Sequence, residues 1–172
     1  ACVVIVNYDL CPNVTLPEII AEMVRALTWT HGNIVEWGGD PKRIFISGNS
    51  AGAHLGAMML AHDWRAEGLP EDLIKGAALL TGVYDPEPIL GISVNQEIGL
   101  TRDMLASVSP LQNLPRRDLP LLVPVGGGET DEWIKQTRVY VDQCQANGIG
   151  AEYMELPGAD HFDMTAAMGD ED

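Results

Sequence analysis

The sequence is poor in cysteine and in long apolar runs, and each shortage excludes a class of protein. Its 3 cysteines are an odd number without the spacing of metal ligands, so neither a disulfide framework nor a metal site is predicted. No apolar run approaches the ~20 residues of a membrane span, and no basic stretch followed by an apolar one opens the chain. We therefore expect a cytoplasmic protein in a reducing environment.

Basic side chains are also scarce. The chain has 10 lysines and arginines against 25 acidic residues, which gives a formal net charge of -15. Such a charge repels phosphate at long range, so nucleic acids and membranes are not expected as partners. A small-molecule substrate fits this composition, and a homodimer is left open.

What the chain does contain is an alternation of apolar strands and helices. Its 172 residues, 46% hydrophobic, are enough for one domain with a core. Strands are predicted at 1–6, 43–47, 74–81, 119–125 and 151–156, and helices at 15–37, 54–61, 130–146 and 162–168. This alternation predicts an α/β fold with a mostly parallel sheet flanked by helices.

The chain opens directly on the apolar run 1–6, without an initiator methionine. A continuous apolar strand is typical of a sheet that is covered on both faces and has neighbours on both sides. We therefore expect the single domain, 1–172, to be N-terminally incomplete and to represent the C-terminal portion of its fold.

The segment 82–117 interrupts the alternation. It holds four prolines and only one short predicted helix, at 100–106. A long irregular segment inside a compact domain is often a lid or a binding loop. We expect 82–117 to form a cap or substrate loop.

The stretch Gly-Asn-Ser-Ala-Gly at 48–52 lies between a predicted strand and a predicted helix. This context is typical of a nucleophile elbow, in which a sharp turn exposes the serine and glycines permit close backbone approach. Ser50 is therefore the candidate nucleophile. The N–H of Ala51, at the start of the helix, is the candidate oxyanion donor.

A serine needs a base, and histidine is the usual one. The chain has four histidines. We expect packing or surface roles for His31 and His54, which lie on predicted helices, and for His62, which lies near the end of one. His161 instead lies in a loop after the last predicted strand, where its imidazole can reach the carboxyl edge of the sheet, and it is the candidate base.

The third member of a triad is a carboxylate that orients the histidine. Glu129 and Asp131 both follow the predicted strand 119–125 and the glycines 126–128. We favour Glu129 for its offset from the strand, because Asp131 can instead begin the next helix. The glycines do not indicate a phosphate loop, since no lysine follows at Walker spacing. The chain order serine, acid, histidine is that of α/β-hydrolases.

Several stretches outside the elbow narrow the choice of family within the α/β-hydrolases. They are Tyr-Asp-Leu-Cys-Pro at 8–12, Thr-Gly-Val-Tyr-Asp at 81–85, Ser-Val-Asn at 93–95 and Ser-Pro-Leu at 109–111. With these stretches the chain resembles the kynurenine formamidase (arylformamidase) group of α/β-hydrolases over nearly its whole length. It departs from that group in having no His-Gly-Gly oxyanion stretch before 1–6, and in presenting Glu129 where relatives often have aspartate.

The resemblance implies hydrolysis of N-formyl-L-kynurenine to L-kynurenine and formate in tryptophan breakdown, without a metal or organic cofactor. It implies Ser50 as nucleophile, His161 as base and then acid, and Glu129 or Asp131 as the orienting acid. Tyr84 and Asn95 are candidate substrate contacts, although turn packing explains each equally well. Two alternatives remain: a carboxylesterase with the same triad, and a non-catalytic binding module on the same scaffold.

Overall fold

Four parallel strands form the sheet on which the other elements are arranged. The computed structural model describes residues 1–166. Its strands are β1 (Ile44–Asn49), β2 (Ile74–Leu80), β3 (Leu121–Gly126) and β4 (Ala151–Leu156), in that spatial order. Each strand pairs in parallel with the next one along the chain, so the carboxyl ends of all four lie at one edge. The predicted α/β architecture is confirmed.

The helices fill the connections between strands. The described helices are α1 (Leu16–Asn33), α2 (Ala51–Ala61), α3 (Asn95–Ile98), α4 (Leu105–Val108), α5 (Asp131–Ala146) and α6 (Asp163–Ala166). Shorter 3-10 turns cover Ile34–Trp37, Glu87–Gly91 and Arg102–Met104. The last predicted helix, 162–168, is matched by α6 as far as residue 166, and its remainder lies outside the described residues.

The first helix begins where its capping signal predicts. The Glu18 carboxylate accepts a hydrogen bond from the Thr15 N–H at 2.7 Å, which is half of a capping box. After α1, the 3-10 turn ends at Gly38, whose φ of 78° is the left-handed conformation that glycine adopts at little cost. The predicted helix over 15–37 is therefore one α-helix followed by a tighter turn.

The second helix is the centre of the core. All of its residues from Ala53 to Leu60 are buried, so α2 has no solvent face and packs between the sheet and α1. A helix that is apolar on all sides is typical of a buried position. The helix that follows the candidate nucleophile is consequently fixed in place by its surroundings.

The predicted strand 1–6 is wrong. Residues 1–10 form no strand and pair with none of the strands described within residues 1–166. Val3 is 78% exposed and Ile5 is 91% exposed. A strand exists through its hydrogen-bonded neighbours, and an apolar composition alone does not supply them.

The segment 82–117 packs onto the body of the fold through a few specific bonds. The Gln136 side chain on α5 accepts hydrogen bonds from the N–H groups of Tyr84 and Asp85 at 2.8 and 3.0 Å. The buried His54 side chain on α2 bonds the Val108 carbonyl at 2.7 Å. The one helix predicted here, at 100–106, is in fact the 3-10 turn Arg102–Met104 followed by α4.

Candidate active site

The turn between β1 and α2 has the backbone of a nucleophile elbow. Ser50 has φ 57° and ψ -116°, a conformation that L-residues rarely adopt and that persists only where surrounding contacts enforce it. Its N–H donates to the Leu80 carbonyl at 2.9 Å, which ties the turn to the end of β2. Its carbonyl accepts hydrogen bonds from the N–H groups of Ala53 and His54, each at 3.1 Å.

Close approach of strand and helix explains the first glycine of the elbow. A Cβ on Gly48 would lie 2.4 Å from both the carbonyl carbon and the oxygen of Gly52. Because those atoms belong to the backbone, no side-chain rotation could relieve the clash. A Cβ on Gly52 would meet nothing within 4 Å, so only Gly48 is required by packing.

The first N–H groups of α2 are available to a ligand. Within residues 1–166, neither the Ala51 N–H nor the Gly52 N–H donates to a backbone oxygen. They lie beside Ser50 at the positive end of an 11-residue helix. This geometry is compatible with the predicted role of Ala51 as an oxyanion donor.

Glu129 and His161 are in direct contact. His161 Nδ1 lies 2.7 Å from Glu129 Oε1, and because a carboxylate only accepts, Nδ1 is the donor. The Glu129 side chain is 7% exposed and the His161 side chain 26%. The bond leaves Nε2 as the free nitrogen of the imidazole, the one that could take a proton from a hydroxyl.

The histidine loop rests on the end of β3. A Cβ on Gly126 would lie 2.3 Å from the Ala159 carbonyl oxygen, and the Gly128 N–H donates to that same oxygen at 2.9 Å. The loop can approach this closely only because glycines end the strand. The run 126–128 thus brings the loop of His161 within reach of Glu129.

Asp160 fixes the backbone on either side of His161. Its carboxylate accepts hydrogen bonds from the Phe162 N–H at 2.8 Å and the Asp163 N–H at 2.9 Å. The Asp160 N–H in turn donates to the Asp163 carboxylate at 2.9 Å. The hydrogen bonds that this carboxylate accepts from the backbone hold the pKa of Asp160 below its usual value. The bond from the Asp163 N–H has the larger effect and the bond from the Phe162 N–H the smaller one.

Asp131, the alternative acid, has a different position. It is the first residue of α5, where a carboxylate complements the helix dipole, and Thr130 is the N-cap. Within residues 1–166, Asp131 makes no hydrogen bond to His161, whereas Glu129 does. The structure therefore brings Glu129, and not Asp131, to the histidine.

Ser50 and the Glu129–His161 pair lie at the same edge of the sheet. Ser50 follows β1, Glu129 follows β3 and His161 follows β4. Among residues 1–166, the Ser50 hydroxyl makes no hydrogen bond, to His161 or to any other group. Catalytic hydrogen bonds of this kind often form only once substrate is bound.

Of the two roles considered for Tyr84, the structure favours packing over substrate contact. Its side chain is fully buried, stacks on the Tyr140 ring at 4.3 Å between centroids, and donates its hydroxyl proton to the Leu79 carbonyl at 2.9 Å. Burial also raises the pKa of Tyr84, because the phenolate would be desolvated. Tyr84 packs the start of 82–117 against α5.

Asn95 is likewise occupied within its own loop. Its side-chain amide donates to the Leu100 carbonyl at 3.1 Å, and its side-chain oxygen accepts from the Leu100 N–H at 2.8 Å. Both polar atoms close the turn from α3 to Leu100. The structure thus gives Asn95 a role in holding this loop together, and its contact with substrate stays a prediction.

Two residues at the site were missed from sequence. The Thr81 hydroxyl donates to Glu129 Oε1, and the Trp133 indole N–H donates to the Thr81 carbonyl at 2.8 Å. The Trp133 ring also meets the His161 ring edge to face, with 4.9 Å between centroids. The available signal was the position of Thr81 at the end of β2, since parallel strands bring their carboxyl ends together.

Neither a metal centre nor a membrane span is found in the part of the chain that the structure describes. No cluster of three or more histidine, cysteine, aspartate or glutamate side chains there could hold a metal ion. Within residues 1–166, no helix has the length and apolar character needed to cross a bilayer.

Comparison with known proteins places this geometry in a family. Kynurenine formamidase of Salmo salar is 29% identical over 99% of the chain, and esterase LipC of Mycobacterium tuberculosis is 29% identical over 92%. The chain spans 58% and 44% of their respective lengths. A solved structure of a candidate thioesterase from Silicibacter sp. tm1040 superposes with a TM-score of 0.78 at 28% identity, covering 95% of this chain and 58% of that one.

The resemblance to the kynurenine formamidase group is thus confirmed by relatives that match the chain almost from end to end. The family model described as "alpha/beta hydrolase fold" matches residues 1–164, which include every element of the candidate site. The chain belongs to the α/β-hydrolase family.

Proposed function

We propose that the protein is a serine hydrolase that cleaves the formamide bond of N-formyl-L-kynurenine, giving L-kynurenine and formate. The observation that carries the proposal is the hydrogen bond between Glu129 and His161 at the sheet edge where the Ser50 elbow also lies. The kynurenine formamidases among its relatives support the choice of substrate.

In the proposed reaction, Ser50 Oγ attacks the formyl carbon while His161 Nε2 takes the hydroxyl proton. Glu129 stabilises the resulting imidazolium through Nδ1–H, and the Ala51 N–H donates to the oxyanion. The C–N bond then breaks, and His161 returns the proton to the aryl amine. Water hydrolyses the formyl-enzyme by the same steps, which releases formate and restores the Ser50 hydroxyl. Every proton transfer uses a side chain of the site, so the proposed reaction requires no cofactor.

The substrate assignment is tested by comparing two acyl donors. With purified protein, kcat/KM is measured for N-formyl-L-kynurenine and for a short-chain p-nitrophenyl ester. We expect the formamide to be the better substrate, because a site selected for an aryl amine leaving group gains transition-state binding from that group. A preference for the ester by orders of magnitude would reject the formamidase assignment.

The alternative activity is that of a carboxylesterase with the same nucleophile. It is favoured by relatives named esterase LipC and esterase LipQ, which are 29% and 30% identical to this chain. A triad determines the type of reaction and leaves the leaving group open. The comparison of acyl donors separates the two activities directly.

The third hypothesis is that the protein is a binding module without catalytic activity. It is tested by substituting Ser50. We expect Ser50→Ala to lower turnover by roughly 10⁴-fold or more, as removal of a nucleophile does in other triads. Ser47→Ala is the matched control, because Ser47 is an exposed residue of β1 and should leave turnover unchanged. Hydrolysis that survives Ser50→Ala at the wild-type rate would reject Ser50 as nucleophile.

A further inference from the structure

Four residues at the candidate site form a closed ring of contacts, in which Thr81 takes part through both its hydroxyl and its backbone carbonyl. Thr81 Oγ1 donates to Glu129 Oε1, and the same oxygen accepts from His161 Nδ1 at 2.7 Å. The His161 ring packs edge to face against the Trp133 ring. The Trp133 indole N–H donates a hydrogen bond to the Thr81 carbonyl at 2.8 Å, which closes the ring of contacts. The acid and the histidine are therefore held from two sides by residues outside the triad.

Thr81 occupies this position in a strained conformation. Its φ is 44°, an outlier for a β-branched residue, and it is completely buried. Its N–H donates to the Pro124 carbonyl at 2.8 Å, and the residue before it, Leu80, accepts the hydrogen bond of the Ser50 N–H. The end of β2 thus connects the Ser50 elbow with the Glu129 loop.

The chemistry of this contact explains why a hydroxyl is needed here. A threonine hydroxyl has one proton, and at Thr81 that proton goes to Glu129 Oε1, because an ionised carboxylate can only accept. A carboxylate oxygen that accepts two hydrogen bonds is fixed in rotation. An aliphatic side chain of the same size would leave Glu129 bonded to His161 alone.

We infer that Thr81 is a positioning residue, which acts through Glu129 to hold His161 in the orientation needed to take the proton of Ser50. Trp133 supports it by fixing the Thr81 carbonyl on one side and the imidazole ring on the other. This inference rests on the proposed function as far as turnover is concerned. The ring of contacts itself can be tested without turnover.

The first test compares Thr81→Val with Thr81→Ser on the acyl donor that the wild type hydrolyses best. Loss of a hydrogen bond to a charged group predicts that Thr81→Val lowers kcat by about 10-fold to 100-fold. KM should change little, since Thr81 is buried and cannot touch substrate. Thr81→Ser keeps the hydroxyl and should retain most of kcat. Equal kcat in the wild type and Thr81→Val, at equal thermal stability, would overturn the inference.

A double-mutant cycle tests whether Thr81 acts through Glu129. In a Glu129→Ala background the hydroxyl has no carboxylate to orient, so adding Thr81→Val should lower kcat much less than it does in the wild type. An equal fold-change in both backgrounds would mean that Thr81 acts by another route.

A spectroscopic readout separates this inference from the proposed function. The low-field proton resonance of His161 Nδ1–H, identified by its loss in His161→Gln, should shift in Thr81→Val and stay in place in Thr81→Ser. An unchanged resonance in Thr81→Val would overturn the inference whether or not the protein is active. A wild type that hydrolyses no faster than Ser50→Ala would instead contradict the proposed function, and the resonance would still decide the role of Thr81.

Discussion

The two halves of the candidate site are held by different kinds of contact. The Ser50 elbow is held by backbone: the close approach of Gly48 to Gly52 and the hydrogen bond from Ser50 to Leu80. The Glu129 and His161 side chains are held chiefly by other side chains, above all by the hydroxyl of Thr81, although the loop of His161 also rests on backbone at Gly126 and Gly128. Substitutions of the glycines in the first half should therefore act mainly on folding stability, and substitutions of Glu129 or Thr81 in the second half should act mainly on turnover.

Apart from removal of the Ser50 hydroxyl itself, the largest expected effect lies in the half held by side chains. Glu129→Gln replaces an acceptor that holds Nδ1–H with an amide that can present N–H to it, which allows the wrong imidazole tautomer. By analogy with an aspartate-to-asparagine change in another triad, kcat should fall by roughly 10⁴-fold while folding is retained. Steady-state kinetics on each purified variant measure this.

Asp131→Asn is the matched control for that prediction. Asp131 lies in the first turn of α5 and bears on helix stability alone, so its substitution should leave kcat close to that of the wild type. If Asp131→Asn were the more damaging change, the assignment of Glu129 as the orienting acid would be rejected.

A smaller effect, on stability, is expected in the half held by backbone. Gly48→Ala places a Cβ 2.4 Å from backbone atoms of Gly52, so the strand and helix must separate, at a cost of about 3 kcal/mol in the free energy of unfolding. Gly52→Ala, in the same turn, meets no atom within 4 Å and replaces a helical glycine, which should stabilise the fold by roughly 0.5–1 kcal/mol. Urea denaturation compares the two variants. Equal stabilities would show that close backbone packing does not hold the elbow.

The smallest effect concerns the pH dependence of stability beside the elbow. Burial lowers the pKa of His54 below its ordinary value of 6.5, and the side chain bonds the Val108 carbonyl. At mildly acidic pH the unfolded chain therefore binds more protons at His54 than the folded chain does. The stability that the neutral, buried His54 gives to the fold is complete above pH 6.5, and it is lost as the pH falls through and below that value.

We expect the wild type to lose more stability between neutral and mildly acidic pH than His54→Gln does. His31→Gln is the control, because His31 is a partly exposed histidine of α1. Denaturation midpoints over that range measure the difference. Parallel curves for the wild type and His54→Gln would contradict the assignment of a buried neutral imidazole.

Most of the fold could be predicted from sequence because its signals are local. The capping residue Thr15, the glycines around Ser50 and the apolar runs of β1 to β4 each lie within one element. The strand at 1–6 could not be judged in this way, since pairing depends on residues far away in the chain. Of the short helices inside 82–117, α3 was missed and α4 was predicted only in part, for a related reason: α4 is held by a long-range contact, the bond between the Val108 carbonyl and His54 of α2.

The candidate site likewise has a part that local sequence signals predict and a part that depends on long-range contacts. The elbow is contained in five consecutive residues, 48–52, and its geometry follows from them. The support of the acid draws on Thr81, Glu129, Trp133 and His161, which come from four separate segments and meet only in the folded sheet. Tyr84 shows the opposite case, because its motif left substrate contact and packing open, and only the folded structure shows that Tyr140 covers its ring.

The central claim is that Ser50 is a nucleophile activated by the Glu129–His161 pair. The most direct measurement is to label the purified protein with a fluorophosphonate, locate the adduct by peptide mass spectrometry and compare labelling rates with His161→Ala. We expect a single adduct on Ser50 that forms far more slowly in His161→Ala. An adduct on another residue, no adduct, or equal labelling rates in the two proteins would contradict it.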